Sequence, residues 1–234
     1  MQFLVHPEIF NRFPSIRLAV AVVHGIDNST DYPQITARWQ EVWTETARVA
    51  VVYGNAQSHP HVKPWRERFQ AQGVSGKQFP SSIEAVLRRA LKGNAAFAIN
   101  PLVDFYNTVS LQYIVPAGGF DLAQLHGPLE LRLTRSGDMF IALDEDTAQE
   151  VPTGEVAYAV GNTILIRHFV WRQSKIGLIT QATQSVFLVS EVLGELGSEV
   201  AAQVLAALSD GLEQYFGVTP TTFLVDEQQS TISW

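Results

Sequence analysis

A chain of 234 residues, 46% hydrophobic and 17% charged, is long enough to bury one sizeable core or two closely packed lobes. Its formal net charge of −7 argues against a dedicated nucleic-acid binder, and the absence of cysteine excludes disulfides, thiolate metal sites and a cysteine nucleophile. No run approaches the length of a membrane span and no charged-then-apolar leader is recognisable, so a soluble cytoplasmic protein is expected.

Residues 1–15, with His6-Pro7 and Phe13-Pro14, read as an entry segment holding one short element. Arg17 to His24 is an apolar run suited to a buried strand, and Gly25-Ile26-Asp27-Asn28 is a turn signal. From Ile35 to about Val51 the pattern is helical, with Trp39, Val42, Trp43 and Ala47 on one face. A polar loop with His59-Pro60-His61 follows; nothing supplies further metal ligands at a recognisable spacing, so no metal is expected. Trp65 to Gln72 is a short helix.

The stretch 80–121 carries the most information. Ser81 caps a helix, with Glu84 placed for a capping box and Ile83, Val86, Leu87, Ala90 and Leu91 on one face. Asn100 is an N-cap and Pro101 takes the first position of the next helix, where its missing N–H costs nothing. Leu102, Phe105, Tyr106, Val109 and Tyr113 form its apolar stripe, and Asn100, Asp104 and Asn107 a polar ridge near its start. That ridge either holds a polar ligand at the helix N-terminus or only caps it and complements its dipole. Gly118-Gly119-Phe120-Asp121 reads as a glycine turn.

Beyond Asp121 the pattern changes to strands: Leu129 to Thr134, Met139 to Leu143, a hairpin of Glu155 to Val160 and Thr163 to Phe169 around Gly161-Asn162, then Thr183 to Val189. An amphipathic helix from Leu196 to Phe216 and a strand at Thr222 to Val225 close the chain. The expected class is α+β, with helices early and a mixed or antiparallel sheet late. Charge is unevenly spread: residues 61–92 hold seven basic and two acidic residues, net +5, against −12 elsewhere. Lys63, Arg66, Lys77, Arg88, Arg89 and Lys92 are therefore candidate phosphate contacts, the alternative being a solvated helical face with Glu84 and Arg88 paired.

Asn100-Pro101-Leu102-Val103-Asp104-Phe105-Tyr106-Asn107, followed by Gly118-Gly119-Phe120-Asp121, resembles the editing (B3/B4, tRNA-binding) domain of the phenylalanyl-tRNA synthetase beta subunit, and more closely the free-standing proteins built from that domain alone. The likeness runs roughly from Arg17 to Glu191. It implies one B3/B4-like domain over 1–234, with packed lobes at about 1–120 and 121–234 possible. It also implies tRNA or aminoacyl-tRNA as partner, and deacylation of mischarged tRNA in trans as the activity. An ester is already activated, so a held water and a placed carbonyl suffice.

The implied site is Asn100, Asp104, Asn107, Gly118, Phe120, Asp121 and Thr183, joined by Trp171 and Arg172 where the family has a small glycine-rich segment. Gly118 replaces a family histidine and Tyr106 a threonine. Val189 falls where the family places the glutamate that reads the tyrosine hydroxyl, with Glu191 two residues away. On this alignment no tyrosine-over-phenylalanine preference is expected, and Asn100, Asp121, Arg172 and Thr183 are expected to converge on one cavity. Catalytic residues are not identified, no cofactor is expected, and the motifs of a complete aminoacyl-tRNA ligase are missing. The competing reading is a non-catalytic module that uses the same pocket for a small amino-acid-like ligand.

Overall fold

The computed structural model describes Met1–Trp234. In chain order the elements are β1 (Gln2–Val5), α1 (Pro7–Arg12), β2 (Arg17–His24), α2 (Pro33–Ala50), α3 (Lys63–Ala71), α4 (Ser82–Leu91), α5 (Pro101–Tyr113), β3 (Ala117–Asp121), β4 (Leu129–Leu133), β5 (Met139–Phe140), β6 (Gln149–Glu150), β7 (Val156–Val160), β8 (Thr163–Arg167), β9 (Arg172–Gln173), β10 (Ser185–Val192), α6 (Ser198–Phe216), β11 (Thr221–Val225) and β12 (Thr231–Ser233). The class is α+β, as the residue pattern implies. There are two sheets rather than one. The larger is mixed, in the order β12-β1-β4-β7-β8-β5-β6 with β9 on β8; the smaller is antiparallel, in the order β11-β2-β10-β3.

Side-chain alternation along β2 explains how these layers stack. Leu18, Val20 and Val22 point to one face and meet Phe3, Leu131, Tyr158 and Phe187 between the two sheets. Ala19, Ala21 and Val23 point to the other and meet α5 and α6 through Leu102, Phe105, Val109, Val204 and Leu208. Both faces are covered, which is why the strand reads as an unbroken apolar run. Val103 and Val109 share this second core with Val186, Leu188 and Val192 of β10, so α5 lies against the later strands. A smaller core behind α2 and α4 takes Trp39, Trp43, Leu87 and Leu111.

Gly118-Gly119-Phe120-Asp121 is not a turn. It forms β3, paired along β10 from Val186↔Asp121 to Ser190↔Ala117. The glycines answer to packing rather than to a change of chain direction, and neither has a positive φ. A Cβ on Gly119 would lie 2.6 Å from Leu188 Cδ2 and 2.9 Å from the Phe187 carbonyl oxygen, so no side chain fits there. Gly118 is the opposite case: a Cβ there would have nothing within 4 Å.

Candidate functional site

That vacancy marks the site. On β3 and β10, Phe120, Phe187 and Val189 fill the space between the sheets. One step along β3 on the same face, Gly118 contributes nothing, and the core opens into a cavity of about 240 Å³. Its walls are Val103, Tyr106 and Asn107 of α5, Ala117 and Gly118 of β3, Ile166 of β8, the 169–173 segment, Ser82, Phe97, Ile99 and Glu191.

Glu191 is the most distinctive group on this surface. It sits on β10 just beyond the last β3 pair and is almost fully buried. Tyr158 Oη donates to its Oε1 at 2.6 Å. Burial pushes its carboxyl up to about 7, against the lowering effect of the Tyr158 hydrogen bond. A carboxylate keeps several acceptor sites beyond the one Tyr158 uses. The cavity therefore offers an apolar body with a hydrogen-bonding group set into one side.

The opposite wall comes from an unusual turn. His168 and Phe169 are consecutive non-glycine residues with φ of 46° and 63°. Left-handed conformations of this kind cost about 1–3 kcal/mol each and persist where the surroundings enforce them. Here they drop Phe169 into the inter-sheet core and present Trp171 and Arg172 to the cavity. Trp171 is held edge-on by Phe79, ring centroids 4.7 Å apart, and the Arg167 and Arg172 guanidinium carbons lie 5.8 and 5.9 Å from its ring centroid. Arg172 is also paired with Asp144.

The expected convergence of Asn100, Asp121, Arg172 and Thr183 does not occur. Gly118 and Asp121 differ by an odd number of residues on one strand, so they face opposite sides of the sheet. Asp121 accepts from Thr183 Oγ1 at 2.8 Å and from the Ala123 amide at 3.0 Å, and Thr183 Oγ1 accepts from the Thr180 amide at 2.9 Å. Asn100 is equally committed: its Oδ1 accepts from the Val103 amide and from Asn28 Nδ2, each at 3.0 Å, and its Nδ2 donates to the Ile179 carbonyl. These groups fasten the start of α5 to the segment before β10. Phe120 is inter-sheet core. Asp104 accepts from the Ile99 amide at 2.9 Å and, with Asn100, borders a separate open groove beside α2; burial raises its carboxyl. Of the expected ligand-binding set, Asn107, Gly118, Trp171 and Arg172 share the cavity.

Arg66 is withdrawn from the proposed phosphate contacts. Its guanidinium forks onto the buried carboxylate of Glu84 at 2.8 and 2.7 Å, joining α3 to α4. The reason lies in the capping geometry: Ser81 accepts from the Glu84 amide, but the Glu84 side chain turns inward instead of closing a capping box. Arg88 reaches the same carboxylate at 3.2 Å and Lys63 lies 3.6 Å from Glu67. Lys77 and Lys92 are exposed, and Arg89 lies over Phe97 at 4.3 Å.

Two residues that matter here carry no distinctive signal in the sequence. Asn28 reads as part of a turn, yet it is buried and bridges Asn100, the Thr180 carbonyl and the Leu102 amide. Tyr158 reads as an ordinary strand aromatic. Glu191 is legible in the sequence as the carboxylate two residues from the expected discriminating position; because strand side chains repeat every two residues, it lies on the same face as Val189.

The B3/4 domain family model matches residues 65–207, well over half of the sequence. The chain belongs to the B3/4 domain family. The match runs from within α3 through α4, α5 and both walls of the cavity to the middle of α6. Residues of this B3/4 chain are 29% identical over 85 positions to the phenylalanine–tRNA ligase beta subunit of Chromobacterium violaceum, covering 36% of the chain and 11% of that protein. The chain thus corresponds to a small part of that relative. A solved N-terminal fragment of the phenylalanyl-tRNA synthetase beta subunit from Pyrococcus horikoshii superposes with a TM-score of 0.44 at 11% identity, covering 96% of the chain and 54% of the fragment. No helix is long and apolar enough to cross a membrane.

Proposed function

We propose that the cavity between the sheets receives the aminoacyl end of an aminoacyl-tRNA, and that tyrosine is its preferred side chain. The observation that carries this reading is Glu191 set into an otherwise largely apolar cavity at the Gly118 opening. In this reading an aromatic ring lies among Val103, Tyr106, Ile166 and Phe169, which line the cavity, and its phenolic hydroxyl donates to the carboxylate. Phenylalanine would leave Glu191 with only its Tyr158 hydrogen bond and offer nothing to the carboxylate's remaining acceptor sites, and sites that hydrogen-bond a substrate hydroxyl reject analogues lacking it. This reverses the expectation of no tyrosine preference, which rested on Val189; Val189 is packed in the core. Family membership supports tRNA as the carrier. Hydrolysis in trans is the activity consistent with such a pocket, with the ester carbonyl held near the Gly118 backbone and Asn107.

One observation favours a second reading, a module that binds a free aromatic amino acid. The basic stretch commits Arg66 and Arg88 to the buried carboxylate of Glu84, which leaves fewer cations for an RNA backbone. Side-by-side binding and deacylation with tyrosyl-tRNA, phenylalanyl-tRNA, uncharged tRNA and free tyrosine separates the two. The expected result is tyrosyl-tRNA favoured over phenylalanyl-tRNA by roughly tenfold or more. Free tyrosine bound as tightly as tyrosyl-tRNA establishes the second reading. Equal affinity for charged and uncharged tRNA defeats both.

A further inference from the structure

Arg172, which lines this cavity, and Lys175, three residues further along the same segment, are both covered by carboxylates from one short stretch of chain. The eight residues between β5 and β6 cross the β9 region, and their base is fixed there. Ser174 Oγ donates to the Ile141 carbonyl at 2.9 Å, the Lys175 amide donates to the same oxygen at 3.0 Å, and Ala142 bridges to Ser174. Beyond this anchor the chain presents Asp144 and Asp146. Asp144 pairs with Arg172, which lines the cavity, and Lys175 donates to Asp146 at 2.6 Å. Both carboxylates are largely exposed, at 73% and 97%, whereas their cationic partners are about one-third exposed. Arg172 is part of the wall and Lys175 stands beside it on the same segment, and the acids are surface groups laid over them.

We infer that Arg172 and Lys175 form a phosphate-binding subsite at the cavity mouth, masked by Asp144 and Asp146 until an anionic ligand displaces them. This rests on the reading of the cavity as the ligand site and adds where the negative charge of the ligand goes. Exposed ion pairs of this kind contribute little to stability, so displacement is cheap. A phosphate recovers the lost contact with interest, because its oxygens match the guanidinium fork. The acids also give selectivity: a neutral ligand meets an already paired surface, and a phosphate-bearing ligand exchanges one anion for another.

The shared chemistry is a phosphate, carried either by the 3′ end of an RNA or by a free nucleotide. The test measures binding of an uncharged single-stranded RNA ending in ACCA, and of AMP, to wild type, to the double variant Asp144→Asn/Asp146→Asn and to Arg172→Gln/Lys175→Gln. A salt series is run for each, and thermal unfolding serves as a control for folding. Unmasking is expected to tighten binding roughly three- to tenfold at low salt and to steepen the salt dependence. Removing the cations is expected to abolish both effects. A gain with the RNA alone assigns the phosphate to an RNA end, and an equal gain with AMP assigns it to a nucleotide. Identical affinities in wild type and the unmasked variant, or no binding to either, overturns the inference. Tyrosine or tyrosyl-ester binding that persists in that event keeps the cavity reading intact. RNA binding that is strengthened by unmasking but indifferent to filling the cavity at Gly118 defeats the cavity reading instead.

Discussion

Replacing Asp138 by alanine is expected to destabilise the protein by about 3 kcal/mol, the cost of leaving a buried guanidinium without its bidentate partner and with only the Glu130 carboxylate, 3.4 Å from Nε, as counter-ion. Arg132 and Asp138 side chains are 1% and 3% exposed. Arg132 Nη1 and Nη2 donate to the two carboxylate oxygens at 2.7 and 2.9 Å, and the Arg135 amide adds a third hydrogen bond at 2.6 Å. The same guanidinium holds the carbonyls of Leu133 and Gly161, so it ties β4 to the turn that leads into β8. Chemical denaturation measures the loss. Replacing both partners by leucine is expected to cost less than Asp138→Ala alone, since no buried guanidinium is left under-paired and Glu130 keeps His6 and Arg135 beside it. Burial works to raise the Asp138 carboxyl, but the Arg132 hydrogen bonds and the Arg135 amide outweigh it and leave it below 3.8. Its stabilisation is therefore present above the ordinary carboxylate value and lost as pH falls through the depressed one.

The second large effect has the opposite sign. Glu191 titrates near 7 in the fold against an ordinary 4.5, with burial as the main cause. Between those two values the folded protein binds more protons than the unfolded chain, so this group lowers stability as pH rises through the window. Glutamine in its place removes the charge and keeps an acceptor for Tyr158. Glu191→Gln is then expected to match wild type at pH 4 and to exceed it by about 3 kcal/mol at pH 8. Urea denaturation at the two pH values reads this directly. A variant less stable than wild type at pH 8 would mean that the ionised carboxylate is stabilised in the cavity, contrary to the burial argument. The same variant should lose tyrosine selectivity, because a neutral amide accepts more weakly from the phenol than a carboxylate does. A site that gives up stability at neutral pH to keep a buried carboxylate facing a cavity is what a polar discriminating group requires.

The parts of this architecture visible in the sequence are those fixed by local rules. Asn100-Pro101 starts α5 with the expected cap, Gly161-Asn162 turns the β7–β8 hairpin, and the apolar run of β2 marks a strand buried on both faces. The parts that were not legible depend on distant partners. A Gly-Gly pair signals a turn unless one knows that Leu188 and Ile179 press against Gly119. The basic stretch looks available for phosphate until Arg66 is found on a carboxylate 18 residues away. Asn100 looks like a ligand group until Asn28, 72 residues earlier, takes its oxygen. In the site itself, the sequence identified Asn107, Gly118, Trp171 and Arg172 but joined them to Asn100, Asp104, Phe120, Asp121 and Thr183. Strand alternation turns Asp121 away from the cavity once β3 is known to be a strand, and Thr183 goes with it through their hydrogen bond.

Gly118→Val tests the central claim, that ligand occupies the space Gly118 leaves open. The position lies on a strand, has an ordinary backbone conformation and has no neighbour within 4 Å of a Cβ, so valine is compatible with the fold and its stability should match wild type. The side chain projects into the cavity, where it competes with any aromatic ligand for volume. Binding of tyrosyl-tRNA, measured beside a thermal melt, is predicted to weaken roughly tenfold or more with the melting temperature unchanged. Undiminished binding by a correctly folded Gly118→Val protein would place the ligand elsewhere and contradict the account.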